Sequence, residues 1–243
     1  AEEDATDGLF TISTTKQFDA PVTVTFTRTG TATSGTDFTA IGTTVVFPAL
    51  SNSVTIPVDV IADNIVESDE TVIVTMTATS NTDVTVAASP NNAATVTITD
   101  DDVAELSIVA TTQAEEDATD GLFTISTTKQ FDAPVTVTFT RTGTATSASD
   151  FTAIGTSVVF PALSNTVTIP VDVIADNIVE SDETVIVTIT GTSNTDVTIV
   201  ASPNDHATVT ITDDDVAELS IVATTQAEED ATDGLFTNSK TKQ

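Results

Sequence analysis

The sequence predicts an all-β protein built from tandem antiparallel β-sandwiches. Three observations support this prediction: apolar and polar residues alternate along short segments, β-branched Val and Thr dominate those segments, and the whole pattern recurs with a period of 113 residues. Alternation with a period of two is typical of strands that have one face on a core and the other in water. No segment of useful length shows the 3.6-residue apolar periodicity of an amphipathic helix.

The second repeat contains seven candidate strands, which we label A to G in chain order. They are predicted at residues 105–112, 121–128, 134–141, 156–160, 165–174, 183–192 and 206–212. In strand C, Val137 and Phe139 are expected to face the core and Thr138 the solvent. Seven short strands in about 110 residues are typical of a Greek-key sandwich of the immunoglobulin type, although the Cys and Trp of antibody domains are missing.

The long internal repeat sets the predicted domain organisation. The string AEEDATDGLF begins at Ala1, Ala114 and Ala227, and the first two copies differ at ten positions. This period falls in the size range of independent domains and is longer than a solenoid repeat. We therefore expect three segments. They are a repeat without its first strand at residues 1–103, a complete repeat at 104–216, and the first strand and start of a third repeat at 217–243.

The charge of the chain excludes several classes of partner. The 243 residues include 37 Asp and Glu but only 6 Lys and Arg, for a net charge of −31. Such a surface repels nucleic-acid phosphates and anionic lipid headgroups, so we expect no nucleic-acid partner and no membrane insertion. The absence of Cys excludes disulfides, thiolate nucleophiles and Cys-ligated metals. Metal cations are the partners that this charge favours.

The acidic residues are expected to meet at one end of each sandwich, which we call the acidic pole. If successive strands run in alternate directions, strands A, C, E and G all end at this pole. Carboxylates follow each of these strands: Glu115, Glu116 and Asp117 after A, Asp150 after C, Asp176, Glu180, Asp182 and Glu183 between E and F, and Asp213, Asp214 and Asp215 after G.

The chemistry of the acidic pole points to calcium. Two carboxylates about 4 Å apart repel each other by about 4 kcal/mol at an effective dielectric near 20, and a bound cation removes this cost. Oxygen ligands from loops, with no His or Cys among them, suit Ca²⁺, which takes about 6 to 8 oxygens in irregular geometry. Mg²⁺ fits less well because it prefers to keep its waters.

The strings SASDF, IADNIVESDET and ATVTITDDD, in this order and spacing, resemble the Calx-beta repeat family. That family is first known from the regulatory segment of sodium/calcium exchangers and is widespread in large bacterial surface proteins. The resemblance covers the whole repeat and implies a Greek-key sandwich that binds calcium at one pole. Exchanger domains that bind several ions carry three successive acids where this chain has Ala175, Asp176 and Asn177. We therefore expect about one to three calcium ions per pole.

The resemblance also implies which residues bind the metal. In the second repeat the ligands would be Glu116 or its neighbour Glu115, together with Asp150, Asp176, Glu180, Asp213, Asp214 and Asp215. In the first repeat the same positions are Glu3 or Glu2, together with Asp37, Asp63, Glu67, Asp100, Asp101 and Asp102.

The position of this site predicts a mechanical role. Asp215 is followed at once by Val216 and the next strand A, so almost no linker separates the site from the next repeat. A bound cation would make the joint rigid, and tandem repeats would form the stiff stalk or filament of a bacterial surface adhesin, outside the cell, where calcium is near millimolar. The expected partners are calcium ions, neighbouring repeats and a host or surface ligand at an unseen tip.

Two other functions compete with this one. Residues 217–226 form a strand A with no domain to complete, and this strand could pair with an open sheet edge of another molecule and build a filament head to tail. The simpler explanation is that the chain is an arbitrary window on a longer array. The other alternative is a calcium-sensing regulatory domain of a membrane transporter, which near-identical copies disfavour because a regulator gains little from duplicated sites.

We do not expect an enzyme. His206 is the single histidine, replaces Ala93 of the first repeat, and lies at the predicted start of a strand. Paired carboxylates could serve glycoside hydrolysis, but the chain has no Trp or Tyr to stack on a sugar. The rows of Thr are the ordinary solvent faces of strands.

Overall fold

The computed structural model describes residues 1–225, 227, 229 and 235–242, and the regular elements among them are all β-strands. The chain divides into two compact units, Ala1–Val103 and Ala104–Gln243. This architecture confirms the predicted all-β class. The described residues contain no helix with the length and apolar character that crossing a membrane requires.

Unit 1 is built from two antiparallel sheets. Its strands are β1 (Gly8–Ser13), β2 (Val22–Gly30), β3 (Thr44–Phe47), β4 (Ser53–Val58), β5 (Ile65–Val66), β6 (Glu70–Thr79) and β7 (Ala93–Ile98). One sheet pairs β1 with β4, and the other has the order β3-β2-β6-β7. The core includes Phe10 of β1, Phe26 of β2 and Phe38 of the connection between β2 and β3.

Unit 2 has the same plan with further strands. Within its described residues the strands are β8 (Ala104–Thr112), β9 (Ala114–Glu115), β10 (Gly121–Thr127), β11 (Gln130–Phe131), β12 (Val135–Gly143), β13 (Ser157–Phe160), β14 (Thr166–Val171), β15 (Glu183–Thr192), β16 (Val197–Ile199), β17 (His206–Thr212), β18 (Ala217–Thr225) and β19 (Leu235–Lys242). One sheet has the order β14-β10-β8-β16 and the other β13-β12-β15-β17-β9, while β18 pairs with β19.

Each of the seven segments predicted as strands A to G contains a strand, namely β8, β10, β12, β13, β14, β15 and β17. In β12, Val137 and Phe139 are buried and Thr138 is exposed, as the alternation predicts. The structure adds the short strands β9, β11 and β16. Two of the resulting pairings, β16 with β8 and β9 with β17, are parallel, where only antiparallel pairing was expected.

Strand A is divided because it changes sheets at Gln113. Before this residue β8 pairs with β10 in one sheet, and after it β9 pairs with β17 in the other. The side-chain Oε1 of Gln113 accepts a 2.6 Å hydrogen bond from the backbone N–H of Thr210 in β17. The side chain thus supplies a sheet contact at the crossing, and the chain continues beside the end of β17, where the acidic run begins.

Phenylalanines fill the core of unit 2 up to the acidic pole. Phe131 and Phe160 pack edge to face, with ring centroids 5.7 Å apart. Phe151 follows Asp150 directly in the chain and is fully buried, and the guanidinium of Arg141 lies 5.1 Å from its ring centroid. Each buried Phe contributes about 1.5–3 kcal/mol. The acidic connections are therefore anchored on a rigid apolar core.

Candidate metal centre

The pairing of β9 with β17 brings the first acidic segment to the last one. The strands are parallel, with Glu115 opposite Thr212. The backbone N–H of Glu116 then donates a 3.1 Å hydrogen bond to the carbonyl oxygen of Thr212. Glu116 therefore lies beside Asp213, although the two residues are far apart in sequence.

Three carboxylates form a cluster that we call site I: Glu116, Asp213 and Asp215. One oxygen of each lies within 4.8 Å of the others. The Oδ1 atom of Asp213 accepts a 3.4 Å hydrogen bond from the backbone N–H of Asp215, which tightens the turn of the acidic run. Glu116 is only 4% exposed. A carboxylate this buried has lost most of its hydration and requires a charged or hydrogen-bonding partner.

A second cluster, which we call site II, consists of Asp150, Glu180 and Glu183, again with one oxygen of each within 4.8 Å of the others. Asp150 belongs to the connection between strands C and D, where its carboxylate accepts a hydrogen bond from the backbone N–H of Thr146. Glu183 is the first residue of β15. Site II therefore joins two connections that lie at the same end of the sheet.

A glycine allows the two strands of site II to approach each other. β12 ends at Gly143, which lies opposite Val185 of β15. Gly143 has a φ of +127°, and an added Cβ would lie 2.1 Å from the carbonyl oxygen of Thr184. Only glycine fits this position. The chain that leaves β12 toward Asp150 therefore passes close to Glu183.

The side chains of Glu183 and Asp150 are joined by a hydrogen bond. The hydrogen bond to Asp150, burial and nearby carboxylates together raise the pKa of Glu183 to about 7. Burial also acts to raise the pKa of Asp150, but the hydrogen bonds from Thr146 and Glu183 outweigh it and lower the pKa. A cation can replace the proton of such a pair.

Burial and repulsion also disfavour the charged forms of the other two glutamates. Burial is the main cause that raises the pKa of Glu116, and the charges of Asp176 and Asp213 raise it further. Loss of hydration, followed by the charges of Asp150 and Asp176, raises the pKa of Glu180. Glu180 is exposed, so water screens part of this repulsion. The charged neighbours that raise these pKa values are all carboxylates.

Unit 1 has an equivalent of site II at its own acidic pole. The carboxylates of Asp37, Glu67 and Glu70 form a cluster equivalent to site II, with one oxygen of each within 4.8 Å of the others. The backbone N–H of Glu67 donates a 3.1 Å hydrogen bond to Oδ2 of Asp100. The acidic segments of the two repeats are identical except at Gly35 and Thr36, which are replaced by Ala148 and Ser149 in the second repeat.

Glu3 is the unit 1 equivalent of Glu116. It is buried, and its backbone N–H donates a 3.1 Å hydrogen bond to the carbonyl oxygen of Thr99. Burial is the main cause that raises its pKa to about 7, and a hydrogen bond from the backbone of Asp63 acts against it. The charges of Asp63, Asp100 and Asp102 raise the pKa further. Glu3, Asp100 and Asp102 are the unit 1 equivalents of the three residues of site I, but they are not among the carboxylate clusters found in the described residues.

Most of the predicted ligands lie in or beside these clusters. Those whose carboxylates belong to a cluster are Asp37, Glu67, Glu116, Asp150, Glu180, Asp213 and Asp215. Those that interact electrostatically at the pole are Glu3, Asp63, Asp100, Asp102 and Asp176. Two others, Asp101 and Asp214, have exposed side chains and belong to none of the clusters found among the described residues.

Two clustered acids were not predicted as ligands: Glu70 and Glu183. In the sequence, Glu183 is one of the acids between strands E and F, and it was not among the predicted metal ligands. The available signal was its position as the first residue of strand F. Strand F pairs with strand C in this sheet, so that residue faces the connection that follows strand C and contains Asp150.

The donor set fits a hard divalent cation. Both clusters consist of carboxylate oxygens, whose negative charges add to burial and hydrogen bonding in raising the pKa of Glu116 and Glu183. His206 begins β17, whereas Asp213 follows its end, so about 20 Å separates them at roughly 3.3 Å per residue. The histidine contacts Asp205, with Nδ1 2.7 Å from Oδ1. The single histidine is therefore not a ligand at this pole.

Comparison with solved structures gives distant likenesses. The chain is similar to CBD12 from CALX1.2, with 19% identity, a TM-score of 0.38, and coverage of 86% of this chain and 94% of that chain. It is similar to the calcium binding domain CBD12 of CALX1.1, with 18% identity, a TM-score of 0.39, and coverage of 87% and 95%. It is also similar to the apo-form Calx CBD1 domain, with 21% identity, a TM-score of 0.40, and coverage of 46% of this chain and 99% of that chain.

Comparison of the sequence with models of domain families identifies the family of both repeats. No curated protein matches the chain significantly in sequence. The family model of the Calx-beta domain matches residues 1–102 and again residues 105–215. The two matches correspond to the two repeats, and each contains its own acidic pole. Because they cover most of the 243 residues, the chain belongs to the Calx-beta domain family.

Proposed function

We propose that each acidic pole binds calcium and that the bound ions make the joint to the next repeat rigid, in a stalk or filament outside the cell. The observation that carries this proposal is the coupling of the two clusters. The backbone N–H of Glu180, in site II, donates a 3.0 Å hydrogen bond to Oδ2 of Asp213, in site I. An ion at either site therefore acts on both connections.

Calcium is the cation that this chemistry favours. The carboxylates lie on loops and strand ends, which tolerate the irregular coordination of Ca²⁺ better than the strict octahedron of Mg²⁺. Bound calcium would remove the repulsion that raises the pKa of Glu116 and Glu183. The ion would therefore bind the native state and not the unfolded chain, and would stabilise the fold.

The two clusters of unit 2 support two ions at that pole, and the single cluster of unit 1 supports at least one, within the range expected from the sequence. Site I would use Glu116, Asp213 and Asp215, and site II would use Asp150, Glu180 and Glu183. Asp176 influences the pKa of both Glu116 and Glu180, which suits a carboxylate close to both ions.

The mechanical role follows from the position of site I in the chain. Asp213 and Asp215 immediately precede Val216 and β18, and in the first repeat Asp102 is separated from β8 by Val103 alone. An ion that fixes these carboxylates also fixes the backbone from which the next repeat begins. Near-identical copies suit a spacer, whose useful property is length, and weak sites would be filled by extracellular calcium near millimolar.

A calorimetric titration of the whole chain tests calcium binding. We expect about two ions at the pole of unit 2, at least one at the pole of unit 1, and a melting temperature that rises with calcium and falls with excess chelator. The variant with Asp37→Asn and Asp150→Asn should lose binding at site II. The matched control, Asp19→Asn with Asp132→Asn, changes exposed acids at the opposite end of the strands and should bind normally. A melting temperature that is unaffected by chelator would overturn the proposal.

Small-angle scattering tests the rigid joint separately from binding. The maximum dimension of the chain should be larger and more sharply defined in calcium than in chelator. The Asp100→Asn variant, changed at the joint between the repeats, should behave in calcium like the chelated wild type. Calcium binding without any change in the scattering curve would retain the metal site and exclude the mechanical role.

A further inference from the structure

The sheet that contains β1 has an open edge. In unit 2 the equivalent strand β10 pairs with β14 on one side and with β8 on the other. In unit 1, β1 has the same sequence, GLFTIS, and pairs with β4, and no other described strand is paired with it. Its second edge therefore presents backbone donors and acceptors that a further strand could use.

A groove of about 510 Å³ lies at this open edge. Its lining is largely apolar and includes Phe10, Ile12, Phe18, Met76 and Val84. Ile12 is only partly buried here, whereas its equivalent in unit 2, Ile125, is fully buried. The groove is therefore core surface that an additional strand would cover.

In unit 2 the equivalent space is filled by β8, whose sequence is AELSIVATT. Its Leu106 and Ile108 are 0% and 2% exposed, and Ile108 lies opposite Ile125 of β10. The backbone N–H of Ile108 also donates a 3.0 Å hydrogen bond to the carbonyl oxygen of Asn204. The unit 1 equivalent of this acceptor is Asn91, which lines the groove. A strand of this sequence thus fits this type of groove.

The same nine residues occur again in β18, where they are not buried. Leu219 and Ile221, the equivalents of Leu106 and Ile108, are 69% and 67% exposed. The chain therefore contains both an apolar groove and an exposed strand with the sequence that fills this groove in unit 2.

The present partner of β18 is a weak competitor for it. β18 pairs with β19 in a two-stranded sheet, and isolated two-stranded sheets are marginally stable in water. Opposite Ile221 lies Asn238, an exposed polar residue, where β10 presents Ile125 to Ile108. Pairing with β1 would instead place Ile12 opposite Ile221 and bury both side chains.

We propose that the groove of unit 1 is a strand-acceptor site and that its occupant is β18 of a second copy of this chain. The incoming strand runs antiparallel to β1 and inserts Leu219 and Ile221 into the groove. The donor strand and the acceptor groove are different surfaces of the chain, so the interface is heterologous and joins copies head to tail into an open polymer. This inference does not depend on calcium binding.

The first experiment uses the whole chain in chelator and measures its mass by light scattering and sedimentation velocity. Wild type should form a series of oligomers that grows with concentration. Ile221→Asp should weaken the association by about 100-fold or more, because it places a charge in an apolar groove. Val222→Asp is the matched control: the equivalent Val109 is 51% exposed in the seated strand, so this change should leave association intact.

The second experiment uses a synthetic, labelled AELSIVATT peptide. It should bind wild type and the Ile221→Asp chain alike, since both retain the groove, and should shorten the wild-type polymers. A peptide with Asp in place of Ile should not bind. The proposal is overturned by a chain that stays monomeric at all concentrations, by oligomers that Ile221→Asp and Val222→Asp affect equally, or by absence of peptide binding.

Discussion

The backbone N–H of Glu180 donates a 3.0 Å hydrogen bond to Oδ2 of Asp213, which ties the connection between strands E and F to the acidic run after β17. The same bond, at 3.1 Å, joins Glu67 to Asp100 in unit 1. The bond recurs in both units, and in unit 2 it links the two carboxylate clusters of the pole. A change at Asp213 should therefore affect both clusters.

Neighbouring acids of the run after strand G should differ in their effect on calcium binding. Asp100→Ala with Asp213→Ala should weaken calcium binding by about 100-fold, which at fixed calcium removes up to about 2.7 kcal/mol of calcium-linked stability per site. Asp101→Ala with Asp214→Ala changes exposed neighbours and should alter affinity by less than about threefold. Calorimetry and urea denaturation in calcium measure both effects. Equal losses of calcium affinity in the two variants would contradict the assignment of Asp100 and Asp213, but not Asp101 and Asp214, to the metal site.

The negative charge of Glu183 should destabilise the calcium-free protein and stabilise the calcium-bound protein. Its charged form is disfavoured in the fold, with a pKa of about 7. Glu70→Gln with Glu183→Gln should therefore raise the melting temperature in chelator above pH 7 and reduce the increase that calcium produces. Thermal melts with and without calcium measure the two changes. A variant that loses stability in chelator would show that these glutamates have a structural role in the metal-free fold.

The stability of the calcium-free protein should fall as the pH rises from about 4.5 through 7. Glu3 and Glu183 have pKa values of about 7 in the fold, against 4.5 ordinarily, so in this window the native state binds more protons than the unfolded state. The lowered pKa of Asp150 acts below 3.8, outside the window. Urea midpoints in chelator measure the fall, and saturating calcium should abolish it. A midpoint that rises with pH in chelator would refute this assignment.

Replacing Gln113 should weaken calcium binding in unit 2 and leave calcium binding in unit 1 unchanged. Gln113→Ala removes the 2.6 Å hydrogen bond that Thr210 donates to the side chain, at a cost of about 1 kcal/mol. Glu116 lies three residues further along the chain. Its position beside Asp213 should therefore become less fixed, and site I should bind calcium more weakly. Calorimetry should then show weaker calcium binding at the pole of unit 2 and unchanged binding at the pole of unit 1. Uniform weakening of both poles would contradict this role.

Much of this architecture could be predicted from local patterns. The alternation of Val137, Thr138 and Phe139 reports burial directly, because neighbouring residues of a strand face opposite sides of the sheet. The convergence of Glu116, Asp150 and Asp213 follows from the alternating directions of successive strands. The prediction of Asp214 as a ligand had less support, because three successive acids cannot all face the same way and sequence alone does not show which of them turns outward.

Strand positions, the repeat and the acidic pole are encoded in residue type and order, since each depends on a short stretch of chain. Which acids share a cluster depends on the register between distant strands. Glu183 meets Asp150 because β12 crosses β15 at Gly143, and Glu116 meets Asp213 because strand A changes sheets at Gln113. Identical sequences even have different environments: Ile108 is buried in β8 and Ile221 is exposed in β18. The burial of a side chain depends on which elements pack against its strand, and only the tertiary structure determines that packing.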